Sequence, residues 1–138
     1  MNYGRCKHSS VLHNHNLFVI AGNETTDGQK VNCMEYLDLQ NSASWVTIDE
    51  GNPLISPRSY CLLSSFSPHE ILVAGGKNNG LLSDVYLYDV RTSTVSQVEA
   101  PSANKFSCFS KPALVGVGKL VALIIDSNGC LNLIRIER

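Results

Sequence analysis

Short apolar runs separated by polar turns recur along the chain and predict antiparallel β-strands. In the first half, strands are predicted at 9–12 and 17–21 around the polar turn 13–16, and again at 31–39 and 45–48. The second half repeats this order at 60–64, 71–74, 84–90 and 94–98. No stretch keeps a 3.6-residue apolar period, so we expect an all-β chain with almost no helix.

The second strand of each group is a continuous apolar run rather than an alternation. It reads Leu-Phe-Val-Ile-Ala over 17–21 and Ile-Leu-Val-Ala over 71–74. A strand that is covered on both faces has this composition, whereas 94–98 alternates as a wetter outer strand does. The pattern therefore predicts sheets stacked face to face, with the second strands inside.

The two groups align as copies of one repeat of about fifty residues. Three landmarks keep nearly one spacing, at offsets of 53, 53 and 51: Arg5 with Arg58, Gly22 with Gly75, and Asp38 with Asp89. A weaker third copy has apolar strands at 119–125 and 131–136 around a polar turn at 126–129. The predicted units are therefore about 4–48, about 57–98 and an incomplete unit at about 106–138.

The amino-acid composition argues against several classes of function. Eleven basic and twelve acidic residues give a net charge of −1 without a basic block, so neither nucleic acid nor membrane is expected as a partner. No apolar run approaches the roughly 20 residues of a membrane span, and the N-terminus has no signal core, so a cytoplasmic location is expected. The five cysteines are scattered and are interpreted as buried small hydrophobes rather than disulfides or zinc ligands.

The repeat resembles the kelch family, whose blades carry a Pro-Arg pair, an apolar strand with a double glycine, a Tyr-Asp pair and a later tryptophan. The second unit has Pro57-Arg58, Gly75-Gly76 and Tyr88-Asp89. The first unit has Trp45 and Asp38, but its counterparts of the proline, the tyrosine and the second glycine are Gly4, Leu37 and Asn23. The resemblance covers nearly the whole chain and is weakest in the third unit.

This resemblance implies an all-β, kelch-type β-propeller fragment of about three four-stranded antiparallel blades, the last one incomplete. Propellers typically close with 4–8 blades, so two blade faces and one strand edge are expected to lie open. We favour a fragment of a longer propeller. A six-bladed ring of two copies and aggregation of the isolated chain are the alternatives.

The motif residues each have a physical reason to occupy their places. A double glycine supplies positive φ and lets another backbone approach, so a β-branched substitution at Gly75 or Gly76 should cost about 1–3 kcal/mol. Asparagine tolerates the left-handed region, which makes Asn23 a natural substitute for the second glycine. Tyrosine and tryptophan supply large packing areas between blades. The structural motif positions are Gly22, Gly75, Gly76, Asp38, Tyr88, Asp89 and Trp45.

Arg5 and Arg58 are predicted to stand at equivalent places at the start of the first strand of their blades. Each is expected to point toward the channel side and to bond a backbone carbonyl or a loop carboxylate. Arginines at this place contact an acidic ligand motif in some kelch proteins, so the resemblance also makes these two the candidate partner-binding residues. The structural role is the favoured one.

Catalytic chemistry has little support in the sequence. His13 and His15 have the spacing of a metal-ligand pair on a strand, but no third ligand is visible nearby, and they are interpreted as turn residues. The acidic pair at 49–50 is interpreted as a solvated loop. We assign no catalytic residue, metal site or cofactor.

The sequence therefore favours a non-enzymatic protein–protein interaction module, either a scaffold or a substrate-recognition domain. Its partners would be other proteins of unknown identity, and self-association through open blade faces is possible. One alternative is part of a kelch-like propeller enzyme of the oxidase or sugar mutarotase type. Another is a truncated copy without independent function.

Overall fold

A computed structural model describes residues 1–31, 33–41, 44–49 and 53–98, together with the backbone of three strands between 114 and 135. Over these residues the chain is all-β, its strands pair antiparallel, and it contains no helix. Within the same part of the chain, no helix of the length and apolarity that a membrane span requires is found.

The first predicted unit forms a four-stranded sheet, here called the first sheet, in the order β2-β3-β5-β6. A separate two-stranded ribbon, β1 with β4, lies beside it. The bounds are β1 Arg5–Cys6, β2 Ser9–His13, β3 Asn16–Ile20, β4 Asn23–Glu24, β5 Glu35–Asp38 and β6 Val46–Thr47.

The second unit forms a second sheet of four strands in the order β7-β8-β9-β10, and the third unit forms a third sheet of three, β11-β12-β13. No sheet closes on itself among the described strands. The bounds are β7 Leu62–Ser67, β8 Glu70–Lys77, β9 Leu81–Asp89, β10 Thr94–Val98, β11 Leu114–Gly116, β12 Val121–Ile125 and β13 Leu131–Arg135. The predicted turn at 126–129 lies outside the described residues.

The core lies between the first and second sheets. Phe18 of β3 meets Tyr88 of β9 edge to face, with 6.2 Å between ring centroids, and stacks on Tyr36 of its own sheet at 5.4 Å. In β8 every residue from Ile71 to Gly76 is buried, while β10 is largely exposed. These burial patterns confirm the predicted inner second strand and wetter outer strand of the second unit.

One strand is shorter and another is longer than the sequence predicts. The predicted strand 31–39 shortens to β5, since the Met34 N–H donates to the carboxylate of Asp49 instead of a neighbouring strand. The strand predicted to end at Ala74 continues to Lys77, and at a bulge of β9 Gly75 lies opposite the two residues Ser83 and Asp84.

The predicted polar turn 13–16 is tighter than expected. His13 and Asn16 pair with each other as strand residues, so the loop contains only Asn14 and His15. Both loop residues have positive φ, at 47° and 66°, as a type I′ hairpin requires. The short turn therefore places His13 in the sheet rather than in the loop.

Candidate functional site

Arg58 is the centre of a buried ionic cluster in the second unit. Its Nη1 donates to the Gly75 carbonyl at 2.8 Å and to Asp84 Oδ1 at 2.7 Å, and its Nη2 donates to Asp84 Oδ2 at 2.8 Å. The guanidinium also lies over the ring of Tyr86, 5.2 Å from its centroid. Only 1% of the Arg58 side chain is exposed, so this fork-to-carboxylate pair holds two segments together inside the protein.

Arg5 makes the corresponding cluster in the first unit. Its Nη1 donates to the carbonyls of Ala21 at 3.1 Å and Cys33 at 2.9 Å, and its Nη2 donates to Glu35 Oε2 at 2.6 Å. Both side chains of this ion pair are fully buried. The predicted bonds to a backbone carbonyl and a carboxylate are therefore present for both arginines.

The strand positions of the two arginines need a correction. Each stands four residues ahead of its sheet, which begins at Ser9 in the first unit and at Leu62 in the second. Arg5 belongs to the ribbon strand β1, and Arg58 lies in the segment before β7. A ligand-contact role for the arginines stays a prediction, and both guanidinium groups are enclosed by protein atoms.

Positive φ at the double glycine is confirmed, with 57° at Gly75 and 107° at Gly76. The repeat alignment at these glycines, however, is shifted by one residue. Gly22 has a φ of 109° and matches Gly76: a Cβ on either would lie 2.8 Å from a backbone carbonyl, that of Cys6 or of Ser59. Ala21, at 66°, holds the place of Gly75, whereas Asn23 belongs to β4 and is not the glycine substitute.

The remaining motif residues, Asp38, Asp89, Tyr88 and Trp45, each have a different structural role. Asp38 and Asp89 each end a strand and accept the backbone N–H two residues ahead, at 2.8 and 2.9 Å. Hydrogen bonds from Arg91 lower the pKa of Asp89 to about 2. Tyr88 is buried in the core, and Trp45 is half-buried, its carbonyl accepting a bond from the Asn2 amide.

His13 is a buried contact between the two units, which corrects its interpretation as a turn residue. Its side chain projects from the end of β2 and bonds Ser65 Oγ of β7 through Nδ1 at 2.8 Å. The amide of Asn14 bonds Nε2 at 3.2 Å and also reaches the Pro68 carbonyl of the second unit. Burial, aided by the charge of His69, lowers the pKa of His13, although the Pro68 carbonyl opposes the change.

The stability of the protein is expected to depend on the protonation of His13. Because its pKa is lowered in the folded state, the unfolded chain binds the proton more readily below about pH 6.5. The His13 contribution is therefore complete above that pH and is lost as the pH falls toward the lowered value. Urea unfolding of the wild type and His13→Gln between pH 5 and 8 measures this, and the variant should show the flatter pH profile. Parallel profiles would contradict the prediction.

Asp49 is a second residue whose environment the sequence did not reveal. Its side chain is buried, not solvated, and besides Met34 it accepts the N–H of Leu54 at 2.9 Å. Through these two hydrogen bonds, Asp49 connects the segment between the two units, at Leu54, with Met34 next to the first sheet. Beside it, a cavity of about 10 Å³ lined in part by Ile20, Met34 and Arg58 has room for at most one water molecule.

Two of the three cysteines in the described residues are buried, as expected, while Cys6 is exposed. Burial raises the pKa of the Cys33 and Cys61 thiols, which keeps them in the unreactive protonated form. Among the residues with described side chains, no three histidine, cysteine or carboxylate groups converge in a metal-binding arrangement.

Three lysines from separate segments surround the dipeptide Ser59-Tyr60; we call Lys7, Lys30 and Lys77 the lysine rim. The Lys7 carbonyl accepts the Tyr60 N–H at 3.0 Å, and its ammonium lies 5.8 Å from the Tyr60 ring centroid. Lys77 exchanges two backbone bonds with Ser59, and Lys30 Nζ donates to Ser59 Oγ at 3.1 Å. Burial and then the charges of the other two lysines lower the pKa of Lys30.

Neither the scan against models of known protein families nor the search of curated proteins gives a match to this chain. The kelch resemblance therefore rests on the motif residues quoted above.

Proposed function

We propose that the chain forms consecutive blades of a kelch-type β-propeller and acts as a non-enzymatic module that binds other proteins. The proposal rests on two contacts that both units share. Each unit has a buried arginine–carboxylate pair, and in each a glycine packs closely against the carbonyl of the residue that follows the arginine. The motif residues are thus occupied by structural contacts, which leaves recognition to the exposed loops.

The lysine rim is the surface that suits recognition best. It joins the exposed loops at one end of the first two sheets, around 24–30 and 77–81, where side chains from both units meet. The charges of Lys7 and Lys77 repel that of Lys30 and, after burial, lower its pKa. A partner segment that carries Asp or Glu would relieve this repulsion on binding, so we expect an acidic protein segment as the ligand.

Reversing charge on the rim is expected to abolish partner capture. The double variant Lys7→Glu/Lys77→Glu spares Lys30, whose ammonium bonds Asn23 and Ser59. Affinity capture from an extract of the source cells should recover proteins with the wild type that the variant loses. Octaglutamate added as competitor should displace them, since the attraction is electrostatic.

The matched control is Arg91→Glu, a charge reversal of an exposed residue in the β9–β10 loop at the opposite end of the second sheet. Its capture should equal that of the wild type, and circular dichroism should show both variants folded. Recovery of the same proteins by the rim variant, or loss with the Arg91 variant as well, would contradict the proposal.

A further inference from the structure

The loop between β8 and β9 is short and exposed. Lys77 and Leu81 pair with each other as strand residues, so the loop contains only Asn78, Asn79 and Gly80. Asn79 and Gly80 are exposed, and Asn79 has a φ of 54°, in the left-handed region that asparagine tolerates. A Cβ placed on Gly80 would meet nothing within 4 Å. The peptide that joins Asn79 to Gly80 therefore stands in open space.

The two groups that can react with each other in this peptide are the side-chain amide of Asn79 and the backbone nitrogen of Gly80. Within the described part of the chain, the Asn79 amide makes no hydrogen bond to another residue, and the Gly80 N–H donates to no backbone carbonyl. Glycine has no Cβ that would shield the nitrogen or restrict its rotation. The nitrogen is therefore free to approach the amide carbon, and a bond between them closes a succinimide ring.

Asn14 provides the contrast, because it occupies a hairpin loop of the first unit with a similar backbone conformation. Its φ is 47°, but its side-chain amide bonds His13 Nε2 at 3.2 Å and also reaches the Pro68 carbonyl. The residue that follows it is His15, whose side chain crowds the backbone nitrogen, unlike Gly80. We therefore expect Asn14 to be protected from the reaction that is open to Asn79.

We propose that Asn79 is a site of spontaneous deamidation. The Gly80 nitrogen gives its proton to solvent and attacks Asn79 Cγ. The new N–Cγ bond forms as the Cγ–Nδ2 bond breaks, and ammonia leaves with a proton taken from solvent. A water molecule then opens the succinimide at either carbonyl, which gives aspartate or isoaspartate. The sum is one water consumed and one ammonia released, so the reaction needs no enzyme, oxidant or cofactor.

The reaction places a carboxylate beside the lysine rim, and this consequence rests on the proposed function. Asn79 lies two residues after Lys77, in a loop that borders the rim. A negative charge in this loop competes with an acidic ligand for the rim lysines, so aged protein binds such a ligand more weakly. Because solvent screens an exposed charge, the affinity should fall by only about two- to fivefold.

Incubation of the full chain at pH 8 and 37 °C, followed by peptide mapping with mass spectrometry, tests the modification. Asn79 should exchange its NH2 group for OH and yield both aspartate and isoaspartate peptides, while Asn14 keeps its amide. The matched variant is Gly80→Val, whose side chain shields the nitrogen in a place where it meets no other atom. This variant should remain folded by circular dichroism and retain the Asn79 amide. An Asn79 that stays intact in the wild type, or equal conversion in the wild type and Gly80→Val, would overturn the proposal.

Binding of fluorescent octaglutamate, followed by anisotropy, tests the consequence separately. Asn79→Asp should bind this probe about two- to fivefold more weakly than the wild type. The control Arg91→Met makes the same change in net charge at the opposite end of the second sheet and should bind like the wild type. Unchanged binding by Asn79→Asp would overturn the effect on the rim. No binding by the wild type would overturn the proposed function together with this effect, but not the deamidation that mass spectrometry measures.

Discussion

Replacing Gly76 with valine is expected to lower the free energy of unfolding by about 3 kcal/mol or more. A β-branched residue in this region of φ costs about 1–3 kcal/mol on its own account. The Cβ would also lie 2.8 Å from the Ser59 carbonyl and 3.3 Å from Cys61 Cα. Because the same carbonyl accepts the Lys77 N–H at 2.8 Å, the substitution also breaks the bridge between these segments. Thermal denaturation should show a melting temperature lower by roughly 10 °C.

The matched control for this substitution is Gly80→Val. Gly80 lies in the exposed loop between β8 and β9, and a Cβ there would meet nothing within 4 Å. Valine at Gly80 should change the free energy of unfolding by no more than about 0.5 kcal/mol. Equal melting temperatures for the two variants would show that Gly76 is not needed for the close approach.

Replacing Arg58 with methionine is expected to cost about 3 kcal/mol, the lower end of the range for breaking a buried ion pair from one side. Methionine keeps most of the side-chain volume but leaves Asp84 without its cation and the Gly75 carbonyl without its donor. Asp84 is 21% exposed, so water partly compensates its charge and keeps the cost from the upper end. Urea unfolding of the variant measures the loss.

The double variant Arg58→Met/Asp84→Asn separates the unpaired charge from lost packing. It should be more stable than the sum of the two single variants predicts, because no carboxylate remains without its partner. In the wild type, burial raises the pKa of Asp84, but the hydrogen bonds and charge of Arg58 outweigh burial and lower it. This stability should therefore be present above about pH 3.9 and be lost as the pH falls through the lowered pKa. Additive effects in the double variant would contradict a coupled pair.

The exposed pair of Arg91 and Asp89 provides a comparison within the same sheet. The Arg91 side chain is 59% exposed, and the pair joins residues of a single loop. Removing Arg91 with methionine should leave the melting temperature close to that of the wild type, since solvent screens exposed ion pairs. The contrast with Arg58 shows that location, not residue type, decides the effect.

The sequence by itself determined the order of the strands, their antiparallel pairing in units and the positive φ of Gly75 and Gly76. These are properties of contiguous residues: apolar runs, turn-forming residues and a glycine pair act over a few positions. The loop role of Asp89 belongs to this group, because its carboxylate bonds a backbone N–H only two residues away. The equivalent places of Arg5 and Arg58 in their units also belong to this group, because they follow from the repeat spacing of the sequence.

Only the tertiary structure decided which groups meet across the chain. Arg5 pairs with Glu35 and Arg58 with Asp84, 30 and 26 residues away, and no local pattern distinguishes these carboxylates from others. Phe66 adds one residue to β7 between the pairs that Ser65 and Ser67 make with β8, so Gly22 matches Gly76 although the sequence alignment paired it with Gly75.

The lysine rim and the buried His13 arise in the same way. Neither is visible in the sequence, since their partners come from separate segments. Lys7, Lys30 and Lys77 are far apart in the chain and join only because Ser59-Tyr60 bonds to all three. His13 is buried because the second sheet covers the end of β2. Local propensity sets the strands, whereas the stacking of one sheet on the next sets the environment of every charged group between them.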